Sequence, residues 1–295
     1  MSDMLAGIDK KGRKVEKKAG SPNIMSAVTG ESDTILISDF FPTALKMYEI
    51  VQASNPEHLG LQITCGSLNV MYANVFVQLP ADQLTDEQYD LKYAEYKRAK
   101  AHYLKGRDFI LGALGKKYAG FADVILSDDN AAVDKAVLLL KQEDVDAAYW
   151  CAAGALGAFA LDPLDPELLG RLYGPVAMLE RAAALNPDYN LGAIWSVLAA
   201  FYFSAPADFG GDTERGMYCY NEALRVADGK SPSPYIMYAE SVCTKNNDET
   251  GFIDCLQKAL AINPDDVPDN RLATIIFQNK ARWLLGQTEN YFIHW

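Results

Sequence analysis

"AAALNPDYNLGAIWSVLAAFYF", Ala182 to Phe203, joins the end of one apolar helix to the start of another, and its reading decides the fold. Proline has no backbone N–H to donate and pushes its predecessor out of the α region, so the first helix ends at Asn186-Pro187. Beyond the turn, Trp195, Leu198, Ala199 and Tyr202 recur at i, i+3, i+4 and i+7, one face of a second helix. A single match of this kind fits any buried helix. Recurrence at a fixed period makes it a joint in an array.

The recurrence is present. The second-helix pattern is a small residue, an aromatic or large one four later, an alanine three after that, and a proline five further on. Leu179, Ala182 and Pro187 fit, followed by Gly216, Tyr220 and Ala223, then by Leu256, Ala259 and Pro264. The alanines advance by 41 and then 36 residues, close to the roughly 34-residue tetratricopeptide period plus short insertions. Weaker copies sit at Ala44, Tyr48, Val51 and Pro56 and at Ala99, Tyr103 and Gly106. First-helix patterns precede the later copies, at Trp150 to Gly157 and Tyr235 to Val242. Small residues let antiparallel helices approach while Trp, Tyr and Leu fill the groove to the next pair. The expectation is an all-α fold of about four tetratricopeptide-like hairpins, with extra helices near 118–140 and at the C-terminus.

Local signals agree. Thr85 and Gln88 have capping-box spacing. Asp165-Pro166-Glu167 opens a helix with a cap, a preset φ and an acid favoured by the dipole. In the run from Asp228 to Pro234, Gly229 can end one helix and Ser233-Pro234 can open the next, near Tyr235. Residues 1–34 hold Lys10, Lys11, Arg13, Lys14, Lys17 and Lys18 with little apolar periodicity, and read as a mobile basic tail. It is either a solvated linker or a segment that touches an anionic membrane surface. Residues 35–295 read as a single helical-repeat domain.

At 295 residues, 49% hydrophobic and 22% charged, the chain folds without staples. Its net charge of −12 and pI near 4.7 exclude nucleic acid as the main partner, because that contact needs clustered Lys and Arg. No apolar run is long enough to span a membrane, and residues 1–20 lack the apolar centre of a signal peptide. Cys65, Cys151, Cys219, Cys243 and Cys255 form no CxxC pair and read as small buried hydrophobes. A Cys243–Cys255 disulfide stays open if the compartment is oxidising.

Enzyme chemistry finds no support. His58, His102 and His294 are scattered, and none belongs to a metal pattern such as HExxH, so no catalytic residue, metal or cofactor is expected. "FGGD", Phe209 to Asp212, lacks phosphate-loop spacing. It reads as a tight turn, with Asp212 or Thr213 capping the next helix. Arg107 and Asp108 read as a charged anchor between helices. "WCAAGALGAFAL" and "IWSVLAAFYF" are apolar on nearly every side. Either they pack on all faces, or one face lines a cavity for an apolar ligand. Trp150, Phe159, Trp195, Tyr202 and Tyr220 are the candidate lining.

Five stretches occur in order: "FPTALKMYEIVQASNPEHLGLQITCGSLNVMYANVFV", "RAKAHYLKGRDFILGAL", "YWCAAGALGAFAL", "LNPDYNLGAIWSVLAAFYFSAPADFGGD" and "YAESVCTKNNDETGFIDCLQKALAINPD". Together, over residues 35–287, they resemble the tetratricopeptide-like T component of TRAP transporters, a bacterial family best known in spirochaetes. The resemblance implies a non-enzymatic periplasmic protein, lipid-anchored in its precursor, that forms a homo-oligomer, a trimer, around an apolar channel. Its implied partner is the TRAP substrate-binding protein, and a small hydrophobic ligand follows from the channel. On that basis Arg107, Asp108, Phe209 and Asp212 become candidate partner-binding residues. The chain departs from the family's precursor in lacking a lipobox cysteine near its start. The alternative is a generic tetratricopeptide scaffold that grips a peptide on its concave face.

Overall fold

The computed structural model describes residues 26–292. Among them every regular element is helical, as the sequence expects. The chain order is α1 (Ser26–Thr29), α2 (Thr34–Ala53), α3 (Leu59–Met71), the unnumbered one-turn helix Leu79–Asp82, α4 (Tyr89–Lys117), α5 (Phe121–Ile125), α6 (Asn130–Val137), α7 (Val145–Leu161), α8 (Pro166–Leu169), α9 (Tyr173–Leu185), α10 (Ala193–Ser204), α11 (Thr213–Ala227), α12 (Ser233–Tyr238), α13 (Glu249–Leu260) and α14 (Arg271–Gly286). Two compact units divide it. One holds residues 38–186, the other 187–292 together with 26–37.

In the first unit, α4 packs between α3 and α7, and α7 in turn packs on α9. Two glycines explain how closely α3 and α4 approach. A Cβ on Gly106 would lie 2.7 Å from the Gly66 carbonyl oxygen, and one on Gly66 would lie 2.7 Å from the Gly106 oxygen. Real side chains do not tolerate that spacing, so the backbones touch there only because both residues are glycine. Ion pairs fix the ends: Lys100 bridges Asp162 and Asp165 at 2.8 and 2.7 Å, and Lys117 reaches the buried Asp144 at 2.7 Å.

In the second unit, α10 packs on α11, α12 on α13 and α13 on α14. Its core includes Phe252, Leu256, Ala259, Ala281 and Leu284, all without exposed surface. Buried Gln278 donates to the carbonyls of Ala259, Leu260 and Ile262, satisfying the acceptors left open where α13 ends. Arg271 donates to the Gly30 carbonyl at 2.8 Å and so holds the segment after α1 against α14. Ala182, Ala223 and Ala259, the alanines that set the sequence period, are fully buried.

The caps behave as the sequence expects at Asp165, which accepts from the Glu167 N–H at 2.9 Å, and at Asp212, which accepts from the Arg215 N–H at 3.0 Å. At Thr85 the N–H donates to Gln88 Oε1 at 3.3 Å. Other details differ. The helix expected near Tyr235 starts at Ser233, because Ser231 Oγ already accepts from the Ser233 N–H. Asp228 and Gly229 both adopt left-handed backbone ahead of it. Helix α2 continues through Pro42, where a proline should stop it. Asp33 starts it, its Oδ1 accepting from the Ile35 and Leu36 N–H groups at 3.0 Å each. Two π-helical stretches, Tyr72–Gln78 after α3 and Ala239–Cys243 after α12, carry no sequence signal of their own.

Candidate functional site

The five candidate lining residues fall in two groups. Trp150 and Phe159 lie on α7 in the first unit, both half-buried. Trp150 packs edge-on against Tyr149, with ring centres 5.0 Å apart. The others belong to the second unit. Trp195 and Tyr202 stand two turns apart on one face of α10. The Trp195 indole N–H donates to the Pro187 carbonyl at 2.7 Å, and its ring meets Tyr218 edge-on. This bond pins the turn at Asn186-Pro187 to the helix that follows it.

Tyr202 is 2% exposed. Its ring lies edge-on to Phe201, and the Arg215 guanidinium sits 4.4 Å from its centre. Burial raises its hydroxyl pKa, so it remains a neutral donor. Tyr220 on α11 stacks on Tyr238 of α12 at 4.4 Å, and Tyr238 also meets Phe203 edge-on. The α10 hydroxyl of Ser196 is buried, with no hydrogen-bond partner among the described residues.

The candidate partner residues differ in kind. Arg107 bonds its own neighbour Asp108, Nη2 to Oδ1 at 2.7 Å, so this ion pair lies within α4 and is not the bridge between helices expected from the sequence. Asp108 is largely exposed while Arg107 is mostly covered. Phe209 sits at 43% exposure on the loop between α10 and α11. Gly210 there has φ +95°, and a Cβ on Gly211 would collide with the Ala205 carbonyl. The two glycines therefore make the tight turn that presents Phe209, and Asp212 caps α11 behind it.

Two features escaped the sequence reading. The first is a stripe on α2: Leu36, Phe40, Met47 and Ile50 are 53%, 47%, 60% and 60% exposed. Their spacing of four, seven and three residues puts them on one side of the helix. Ile37, Phe41 and Leu45 are buried on another side, where Phe41 meets Phe76 and Tyr72. The repeat copy at Ala44, Tyr48 and Val51, all half-buried, marks the side of α2 on which Ile37 and Phe41 are buried, but it gives no sign that a second apolar face is left uncovered.

The second is a polar network joining α2, α3 and α4. Glu49 accepts from Lys105, Lys46 and Asn69, and these donors hold its carboxyl near pKa 2 against the opposing effect of burial. Asn69 also contacts His102 Nδ1 at 2.9 Å. Burial, reinforced by Lys105 and Arg98, lowers the His102 pKa. His102 meets Tyr72 edge-on, and the Tyr72 hydroxyl accepts from Arg98. Every member has a neighbour inside the protein, so the network reads as a fastening between helices.

His58 caps α3, its Nδ1 accepting from the Leu61 N–H at 3.1 Å, while His294 lies outside the described residues. Among the described residues no group of three or more His, Cys, Asp or Glu side chains is placed to hold a metal ion. No described helix is long and apolar enough to cross a membrane. All five cysteines are buried, as expected for small hydrophobes.

Comparison with known proteins adds two findings. A family model described as "TAtT: TRAP transporter T-component" matches residues 30–292. A protein of Treponema pallidum (strain Nichols), described as "Uncharacterized protein", is 38% identical over 265 residues, which cover 90% of this chain and 82% of that one.

Proposed function

The chain belongs to the TRAP transporter T-component family, and from that premise we propose that it is an accessory protein of a TRAP transporter, acting by binding and not by catalysis. It works in the periplasm, lipid-anchored in its precursor, as a tetratricopeptide-like array that self-associates as a trimer. There it docks the system's substrate-binding protein and holds or passes a small hydrophobic ligand. The observation that carries this reading is the family match, which runs through both units.

Two structural features support it. The exposed stripe Leu36, Phe40, Met47 and Ile50 is an apolar surface of the kind that protein contacts cover. Helices α7 and α10, apolar on nearly every side, supply ligand-facing candidates in each unit taken by itself: Trp150 and Phe159 in the first, Trp195 and Tyr202 in the second, where α11 adds Tyr220. Ser196, buried and without a partner among the described residues, offers a hydroxyl for the polar end of such a ligand. Arg107, Asp108, Phe209 and Asp212 remain the proposed contacts to the binding protein.

The test is sedimentation velocity on the purified chain mixed with the TRAP substrate-binding protein encoded beside it, with each protein alone as control. A defined hetero-complex at micromolar concentration supports the proposal and gives its stoichiometry. No association with either apo or ligand-loaded binding protein refutes the docking role and favours a scaffold for extended peptides.

A further inference from the structure

Cys243 and Cys255 belong to one buried cluster of the second unit, near enough for each thiol to bear on the ionisation of the other. The turn between them is fastened at both ends. The Asp248 N–H returns to the Cys243 carbonyl at 2.9 Å, and the Asp248 carboxylate caps α13 through the Gly251 N–H at 2.9 Å. Asn247, in left-handed backbone, makes the reversal. The π-helical stretch Ala239–Cys243 packs on α13, where Cys255 stands about two turns in. Phe252, Leu256 and Ile236 belong to the same buried cluster, and Tyr238 packs against it.

We infer that Cys243 and Cys255 form a modification site, closing to an intramolecular disulfide by exchange with an external disulfide. One thiolate attacks a sulfur of a small-molecule disulfide such as oxidised glutathione and expels one glutathione thiolate. The other cysteine then attacks the mixed disulfide and expels the second. The protein loses two electrons and two protons, and the oxidant leaves as two thiols. Cys255 attacks first, because it is the more accessible of the two and Lys258 lies near it. Cys243 has almost no exposed surface, and burial pushes its thiol up to about 12. Thiolate is scarce at either sulfur in the folded protein, so closure is slow there and fast while the chain is folding.

Meeting such an oxidant in the cell rests on the periplasmic placement proposed above, whereas the chemistry does not. The purified full chain is therefore reduced, unfolded and refolded with reduced and oxidised glutathione, and a second sample is treated with the same mixture while folded. Refolded protein is expected to lose about 2 Da and to yield a digest fragment linking Cys243 to Cys255, with a melting point about 5–10 °C above the reduced form. Cys65, Cys151 and Cys219 remain free to alkylate once the protein is unfolded. C255S and C243S each abolish the mass loss and the melting difference, and C243S traps glutathione on Cys255 during refolding. Failure of the link at any glutathione ratio, or a link through another cysteine, overturns the inference. A bond that forms in vitro but is absent from protein recovered from cells counts instead against the periplasmic placement.

Discussion

The same substitution at two positions of α4 should have opposite effects on stability. Gly106 and Gly115 are both interior to that helix, where replacing glycine by alanine ordinarily stabilises by about 0.5–1 kcal/mol, because alanine loses less backbone freedom on folding. At Gly115 an added methyl would find only the Ala122 Cβ, at 3.5 Å, an ordinary contact. Gly115→Ala should therefore show the full helix gain. At Gly106 the methyl would meet the Gly66 oxygen and Val70 Cγ2 at 2.7 Å and the Val70 nitrogen at 3.1 Å. Two of those atoms are backbone, and the third belongs to a stiff β-branched side chain that is 2% exposed.

Relief requires α3 and α4 to separate by about 0.7 Å over the contact, and overpacking of that kind costs about 1–3 kcal/mol. Set against the helix gain, Gly106→Ala should lose about 1–2 kcal/mol. Urea unfolding followed by circular dichroism reads both: the midpoint should fall by about 0.5–1 M for Gly106→Ala and rise by a few tenths of a molar for Gly115→Ala, with slopes unchanged. If Gly106→Ala is as stable as the parent, the backbones of α3 and α4 do not touch there, and the packing described for the first unit is wrong.

Two further outcomes follow from single residues. Glu49, held near pKa 2 instead of the ordinary 4.5, contributes stability that is fully present above pH 4.5 and lost as pH falls through 2. The shift corresponds to at most about 3 kcal/mol, and water at the margin of the network should leave about 1–2. Glu49→Gln should therefore lower stability at pH 7 and flatten its fall between pH 5 and 2, and an unchanged acid profile would exclude Glu49 as its source. Gly192 has φ +81°, and its missing Cβ faces the Ala223 oxygen at 2.8 Å. Gly192→Ala should destabilise by about 2 kcal/mol or more, through both strain and collision, read as a lowered melting temperature of the second unit.

Local chemistry and periodicity were enough to determine the all-α class. Prolines and glycines marked the helix ends, and alanines recurring at a nearly constant spacing marked the close contacts. Ala182, Ala223 and Ala259 are buried because a small residue is what two approaching helices need, a requirement already written in the pattern. Asp165 and Asp212 cap their helices because a carboxylate reaching back to an open N–H is a bond within three residues of sequence. The exposed face of α2 was beyond such reasoning: the repeat copy at Ala44, Tyr48 and Val51 marks the side that packs, where Phe41 meets Tyr72 and Phe76, but nothing local tells that Leu36, Phe40, Met47 and Ile50 stay uncovered. The partner of Arg107, the donors around Glu49 and the meeting of Cys243 with Cys255 likewise depend on side chains brought together by helix register, which the tertiary structure fixes. Interactions that close within one turn are legible in a sequence, whereas those that close across helices depend on where the whole chain has been placed.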